Sequence, residues 1–261
     1  MIRAYTIASG KGGTGKTTVT ANLGTALAQY GKETYIIDAD VGMANLGLVL
    51  GLENASITLH EVLAGKAKIG DAIYDGPQGL KVVPSGISLK GFQDADPKRL
   101  KDVMGELVSR CDFLLFDAPA GLGSDAVIPL AIADEVILVV NPEISSLVDA
   151  LKVKILTEMV GGAVKGAILN RATLQDSELS RQKIQQVLGV PIIDVIPEDP
   201  NVRRSSACKV PVVSRHPDSP SSAAFRRIAA TLAGIEYTEA IEEKDEGFIE
   251  KLARTLFRRP S

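Results

Sequence analysis

The chain has 261 residues, a formal net charge of −3 and a hydrophobic content of 45%. A balance this close to neutral exerts no overall pull on nucleic acid or anionic lipid, so any such affinity must come from a local patch. No apolar run reaches the 18 or so residues needed to span a bilayer, and no internal repeat or low-complexity tract is present. Aromatic residues make up only 4% and tryptophan is absent. The core must therefore be built mainly from Val, Ile, Leu and Ala, a composition that suits a parallel sheet buried on both faces. Cys111 and Cys208 are the only cysteines. They form neither a C-x-x-C pair nor a metal-ligand spacing, and a reducing, cytoplasmic setting is the simplest expectation.

Taken in chain order, strands are predicted at Arg3–Ala8, Thr34–Asp38, Leu80–Pro84, Phe113–Asp117, Val136–Asn141, Lys165–Asn170 and Ile192–Ile196. Helical patterns fall at Gly15–Tyr30, Pro97–Ser109, Ser124–Ile132, Ser145–Val160, Ser177–Leu188 and Ser221–Ala233. Alternation of this kind implies right-handed crossovers and an α/β fold, a doubly wound, mostly parallel sheet with helices on both faces. From Glu236 to Glu246 six acidic residues and one lysine carry no buried-strand pattern, which reads as a solvated linker. The expected organisation is one domain over 1–235, an acidic linker over 236–246 and a terminal segment over 247–261.

The strongest signal is Ser9-Gly10-Lys11-Gly12-Gly13-Thr14-Gly15-Lys16-Thr17-Thr18, which contains G-x-x-x-x-G-K-[ST] between a predicted strand and a predicted helix. Its glycines allow the backbone to turn successive N–H groups inward around phosphate oxygens. The following helix directs its positive end at the same anion. Lys16 is placed to contact the terminal phosphates of ATP, and the Thr17 hydroxyl to ligate Mg²⁺. Asp117 ends the apolar run F-L-L-F-D, as a Walker B aspartate does when it holds the water shell of that metal. Metal-bound ATP with a positioned water is what hydrolysis requires. Lys11 is not demanded by a general phosphate loop, and it starts too far round the loop to duplicate Lys16.

The string K-G-G-T-G-K-T-T resembles the deviant Walker A motif of the MinD/ParA family of P-loop ATPases. D-A-D-V-G-M-A-N-L, D-A-P-A-G, N-P-E and I-P-E-D-P extend the resemblance along nearly the whole chain. In that family two subunits sandwich two ATP molecules, and the resemblance assigns Lys11 to the partner's nucleotide. It also implies that Asp40 orients the attacking water, that Asp38 supports the loop and metal region, and that Gly121 senses the γ-phosphate. Asn170-Arg171 and Pro197-Glu198-Asp199 are expected to flank adenine. Each acidic pair and strand-end stretch also has a plainer reading as a turn cap.

The terminal segment separates members of the family. At about 100° per residue, Phe248, Ile249, Leu252, Ala253, Leu256 and Phe257 fall on one half of a helical wheel, with Glu250, Lys251, Arg254, Thr255 and Arg258 on the other and Arg259, at the end, out of place. Such a basic amphipathic helix lies in the headgroup layer of an anionic membrane, here with Phe248, Ile249, Leu252, Leu256 and Phe257 as the inserting side chains. A terminal helix packed on its own domain is the alternative. The tail makes the chain resemble the cell-division members of the family. That resemblance implies an ATP-bound homodimer, peripheral attachment to the inner face of the cell membrane, a regulatory ATPase-activating or division-inhibitor protein as partner, and a part in division-site placement. Nucleic acid is not the expected partner. The competing reading is a ParA-like ATPase that positions DNA or other cargo, with Arg203-Arg204, Arg215 and Arg226-Arg227 as its basic groups.

Overall fold

The computed structural model describes residues 3–86, 88–173 and 179–238, with the side chains of residues 89, 90, 92 and 124 excepted. The linker beyond residue 238 and the whole tail, 247–261, lie outside the described residues, as does the predicted start of a helix at Ser177.

The strands are β1 (Arg3–Ala8), β2 (Thr34–Asp38), β3 (Tyr74–Asp75), β4 (Lys81–Val83), β5 (Phe113–Asp117), β6 (Glu135–Val140), β7 (Val164–Ala172) and β8 (Ile192–Pro197). They form one sheet in the order β3-β4-β2-β5-β1-β6-β7-β8. Every pairing is parallel except that of the edge strand β3 with β4. The helices are α1 (Lys16–Gln29), α2 (Leu46–Val49), α3 (Leu59–Leu63), α4 (Leu89–Asp94), α5 (Leu100–Leu107), α6 (Ser124–Ile132), α7 (Ile144–Met159), α8 (Arg181–Leu188), α9 (Pro200–Ala207), α10 (Val212–Arg215) and α11 (Pro220–Ala233).

The sheet is covered on both faces, as the aliphatic composition requires. Along β5 the side chains alternate: Phe113 and Leu115 join the core under α1 and α11, while Leu114 and Phe116 join the core under α3 and α5. The α1 core draws on Val19, Leu23 and Leu27 of α1 and on Phe225, Ile228 and Leu232 of α11. Leu147, Ala150 and Val153 of α7 pack with Leu138, Val140 and Leu169 in a third cluster. A Cβ on Gly24 would lie 2.7 Å from Ile36 Cγ2, so glycine is what lets α1 approach β2 so closely.

The chain winds from β1 to β2 on one side of the centre and from β6 to β8 on the other, so the winding reverses at β1. Ligands of doubly wound sheets bind at the carboxyl ends of the strands beside such a reversal, and here the loop from Ser9 to Gly15 occupies that place.

The cysteines sit in contrasting surroundings. Burial, reinforced by the nearby Asp112 and Glu33 carboxylates, pushes the Cys111 thiol up to about 12, whereas Cys208 is exposed. Since the thiolate is the reactive form, iodoacetamide at pH 8 is expected to modify Cys208 alone in the native chain and both residues after denaturation. Peptide mass mapping checks this, and rapid native labelling of Cys111 would contradict it.

Candidate nucleotide and metal site

The site starts from how α1 begins. Its N-cap is Gly15 at φ 91°, with no side-chain cap and no acidic residue in the first turn. By contrast, α3 is closed by a full capping box at Thr58 and Glu61, and α8 is capped by Ser180. The leading N–H groups of α1 therefore have no side-chain acceptor of their own, and together with the helix dipole they form a seat for a phosphate. The loop is held from behind. Asn170 Nδ2 donates to the Thr14 carbonyl at 2.7 Å. Asn141, its amide oriented with nitrogen toward acceptors, donates to the same carbonyl at 3.2 Å and to the Asn170 carbonyl at 3.3 Å. Gly10 passes so close to α7 that a Cβ there would lie 2.3 Å from the Asp149 carbonyl.

Lys16 is buried, and its Nζ donates to Asp117 Oδ1 at 2.8 Å; Thr20 Oγ1 donates to the same oxygen at 3.2 Å. Asp38 is fully buried one strand away, accepting from Asp40 N at 3.2 Å and Leu46 N at 3.1 Å. Burial pushes the Asp38 carboxyl well up, the Asp117 carboxylate adds to this, and the Leu46 N–H and Lys16 oppose it. Asp40 is half-buried and is raised mainly by burial, with the Met43 N–H and Lys16 pulling it back. Its Oδ1 accepts from Met43 N at 2.9 Å, so it also caps its own turn.

Two buried carboxylates, Asp38 and Asp117, with one ammonium bonded to Asp117 form a set short of positive charge. Thr17, at the start of α1, adds a hydroxyl, and the carboxylate and hydroxyl oxygens are hard ligands of the kind Mg²⁺ takes with part of its water shell. The residues fit the ion.

Lys11 is elsewhere. Its Nζ lies 3.2 Å from Glu143 Oε2 and 3.0 Å from Ser145 Oγ, on the exposed rim formed where β6 runs into α7. Gly121, at φ 91°, donates its N–H to the Ser9 carbonyl at 3.1 Å. Sensing a phosphate through that N–H would require this bond to open.

The proposed base contacts converge. Gly15, Thr18, Asn170, Arg171, Pro197, Glu198 and Asp199 line one cavity of about 220 Å³ beside the start of α1, closed from below by Phe225. A register shift between Leu169 and Ala172 breaks the β7–β8 ladder, and Arg171 takes φ 59° there. Irregularities of this sort re-aim side chains, and this one turns Asn170 onto the phosphate loop. Asp199 differs from its neighbours. It accepts from Asn201 N at 2.8 Å and Ser221 Oγ at 2.7 Å, so its carboxylate ties the starts of α9 and α11 together. Burial works against that carboxylate, but the Ser221, Asn201 and Ser219 donors outweigh it and hold the group below its usual range.

Thr20 and Ser145 are not marked by the sequence motifs, and Asn141 and Glu143 enter there only within the N-P-E string, with no role assigned.

An unobstructed helix start behind a glycine loop, a buried lysine on a strand-end aspartate and a cavity beside them define a P-loop nucleotide-binding protein. The CobQ/CobB/MinD/ParA nucleotide binding domain family matches residues 5–212, and the chain belongs to that family. It is 48% identical over 259 residues to an uncharacterized ATP-binding protein of Methanocaldococcus jannaschii, covering 99% of this chain and 98% of that one. It is similar in structure to the septum site-determining protein MinD of Pyrococcus horikoshii complexed with Mg-ADP, with TM-score 0.86, 42% identity, and 92% and 100% of the two chains covered. The MinC:MinD cell division protein complex of Aquifex aeolicus gives TM-score 0.79 and 34% identity over 91% of this chain and 98% of that one.

Proposed function

We propose that the chain is a slow, Mg²⁺-dependent MinD-type ATPase, in which ATP pairs two copies and pairing converts a weak hold on an anionic membrane into a firm one, in the service of division-site placement. The observation that carries this reading is the position of Lys11. Its ammonium is engaged by Glu143 and Ser145 on the rim, outside the seat that Lys16 occupies, and so it is available to a triphosphate held by a second copy. Exposed apolar side chains on the same rim support a paired state: Met43 after β2, Leu122 after β5 and Ile144 after β6 are 75%, 48% and 70% exposed.

In this mechanism the phosphates enter between the α1 start and the loop amides, and Lys16 turns from Asp117 to the terminal phosphates. Thr17 and Asp117, with Asp38 paired beside Asp117, would hold Mg²⁺, and the ion would neutralise charge on the phosphate oxygens. Asp40 aligns the water for attack. Arg171 and Glu198 border the base. Lys11 leaves Glu143 for the partner's phosphates, so both copies close together. One tail helix of this size binds a bilayer only marginally, whereas two in one particle bind with an effective concentration that strengthens attachment by about 10²-fold or more. Loss of the γ-phosphate releases the loops and separates the pair. The MinC:MinD assembly of the Aquifex relative supports a division-inhibitor or activating protein as the regulatory partner.

Sedimentation with anionic vesicles tests the reading, using ATP, ADP or no nucleotide and either the full chain or one ending at Glu246. The full chain should pellet with ATP only, and the shortened chain in no state. A Lys11→Ala chain should stay monomeric with ATP and lose about 10²-fold in vesicle affinity. Equal pelleting in every nucleotide state would end the switch.

A further inference from the structure

Asp40 stands on a short exposed loop: Gly42, Met43 and Asn45 face solvent, and the carboxylate's own bond is to Met43 within that loop. Such a loop cannot hold a water-aligning carboxylate steady by itself. Besides the Asp38 carboxylate, which accepts from Asp40 N and Leu46 N, its footing comes from the Asp38 and Val41 carbonyls on either side of Asp40. Ser85, 6% exposed, donates from Oγ to the Asp38 carbonyl at 2.8 Å. His60, 1% exposed, sits with Nε2 at 2.9 Å from the Val41 carbonyl, and because a carbonyl only accepts, Nε2 carries the proton.

The ring has no freedom to choose otherwise. Its other nitrogen, Nδ1, is buried without a hydrogen-bond partner among the described residues. A Cβ on Gly86 would come 2.7 Å from Nδ1 and one on Gly91 2.8 Å, so the two glycines form a slot cut to the imidazole. An unsatisfied buried nitrogen carries a cost in stability. Leucine or phenylalanine would fill apolar space in α3 without it, so packing alone does not account for a histidine here. Donation to the Val41 carbonyl does.

We infer that His60 and Ser85 are positioning residues for hydrolysis, clamping the backbone on both sides of Asp40 so that its carboxylate is held at the attacking water. The inference rests on the assignment of that water to Asp40. Neither side chain lines the phosphate seat or the base cavity, so both act on turnover and not on nucleotide capture.

The test uses the full-length chain with Mg²⁺, measuring ATP turnover and, separately, the affinity for a fluorescent ATP analogue. Misplacement of a reacting group by about 1 Å costs up to about 10²-fold. His60→Leu should therefore lose about 10- to 100-fold in kcat, with nucleotide Kd unchanged to within about threefold. His60→Gln, whose amide N–H reaches the same carbonyl, should recover most of the loss. Ser85→Ala removes one oxygen and leaves the fold intact, and it should show the same split at about three- to tenfold. Parent-like turnover in His60→Leu or Ser85→Ala, no recovery in His60→Gln, or parallel loss of affinity and turnover would overturn the proposal. An Asp40→Ala chain run alongside separates the two levels: if it turns over as the parent does, the assignment of Asp40 itself has failed.

Discussion

An Asp40→Ala chain is expected to bind ATP like the parent and to hydrolyse it about 10²–10⁴-fold more slowly, the range for removing a positioned proton acceptor. The separation follows from geometry. The phosphate seat is built from the α1 start, Lys16 and loop amides held by Asn141 and Asn170, and Asp40 belongs to none of these. Burial raises its carboxyl, with the Met43 N–H and Lys16 opposing the shift. The same variant should accumulate as the ATP-bound pair, since capture continues and release by hydrolysis stops. Turnover by phosphate release, with affinity by nucleotide titration, checks both halves. Parent-like turnover would remove Asp40 from the mechanism.

A Gly15→Ala chain should fail earlier, at capture. Gly15 lies at φ 91°, where a side chain costs about 1–2 kcal/mol. The added Cβ would also stand 2.4 Å from Asn170 Nδ2, the group that holds the Thr14 carbonyl. Losing that bond leaves the Thr14 carbonyl with Asn141 alone, at about 0.5–1.5 kcal/mol. The sum, about 1.5–3.5 kcal/mol, corresponds to a loss of roughly 10- to 400-fold in nucleotide affinity where binding must restore the parent loop. Gly105→Ala, in α5 and clear of the loop, is the control: no atom beyond its own helix backbone lies within 4 Å of a Cβ there, and affinity should match the parent within about twofold. Parent-like affinity in Gly15→Ala would show that these contacts do not set it.

Most of the architecture was legible because buried parallel strands leave short aliphatic runs that little else in the chain imitates. β1, β2 and β5 lie where the sequence pattern sets them, and α6 spans Ser124–Ile132 as predicted. What escaped was short or polar. Tyr74–Asp75 pairs with β4 over two residues at an edge and has no apolar pattern to show. In α9, P-N-V-R-R-S-S-A offers no apolar stripe; only its start is marked, by the Asp199 cap and Pro200 in the first turn. α10 is four residues long, too short for a period to appear.

At the site, local motifs were legible and contacts across the fold were not. The loop spacing marks Lys16, and the strand-end pattern marks Asp38 and Asp117. Lys11 was expected near phosphate, and in the single chain it rests on Glu143 and Ser145, 132 and 134 residues away. Asp199 was expected at the base; it lines that cavity, and its carboxylate also joins two helix starts. Side chains brought together by neighbouring strand ends carry no common spacing, so the sequence could not pair them.

The bond between Lys16 and Asp117 has a consequence for the order in which ligands load. With that ammonium on it, the aspartate would offer free Mg²⁺ a carboxylate already neutralised. A triphosphate that took up the lysine would uncover the oxygen, so nucleotide and metal are expected to load as one complex. Titration with Mg²⁺ alone should then show no binding, and tight binding without nucleotide would contradict this order.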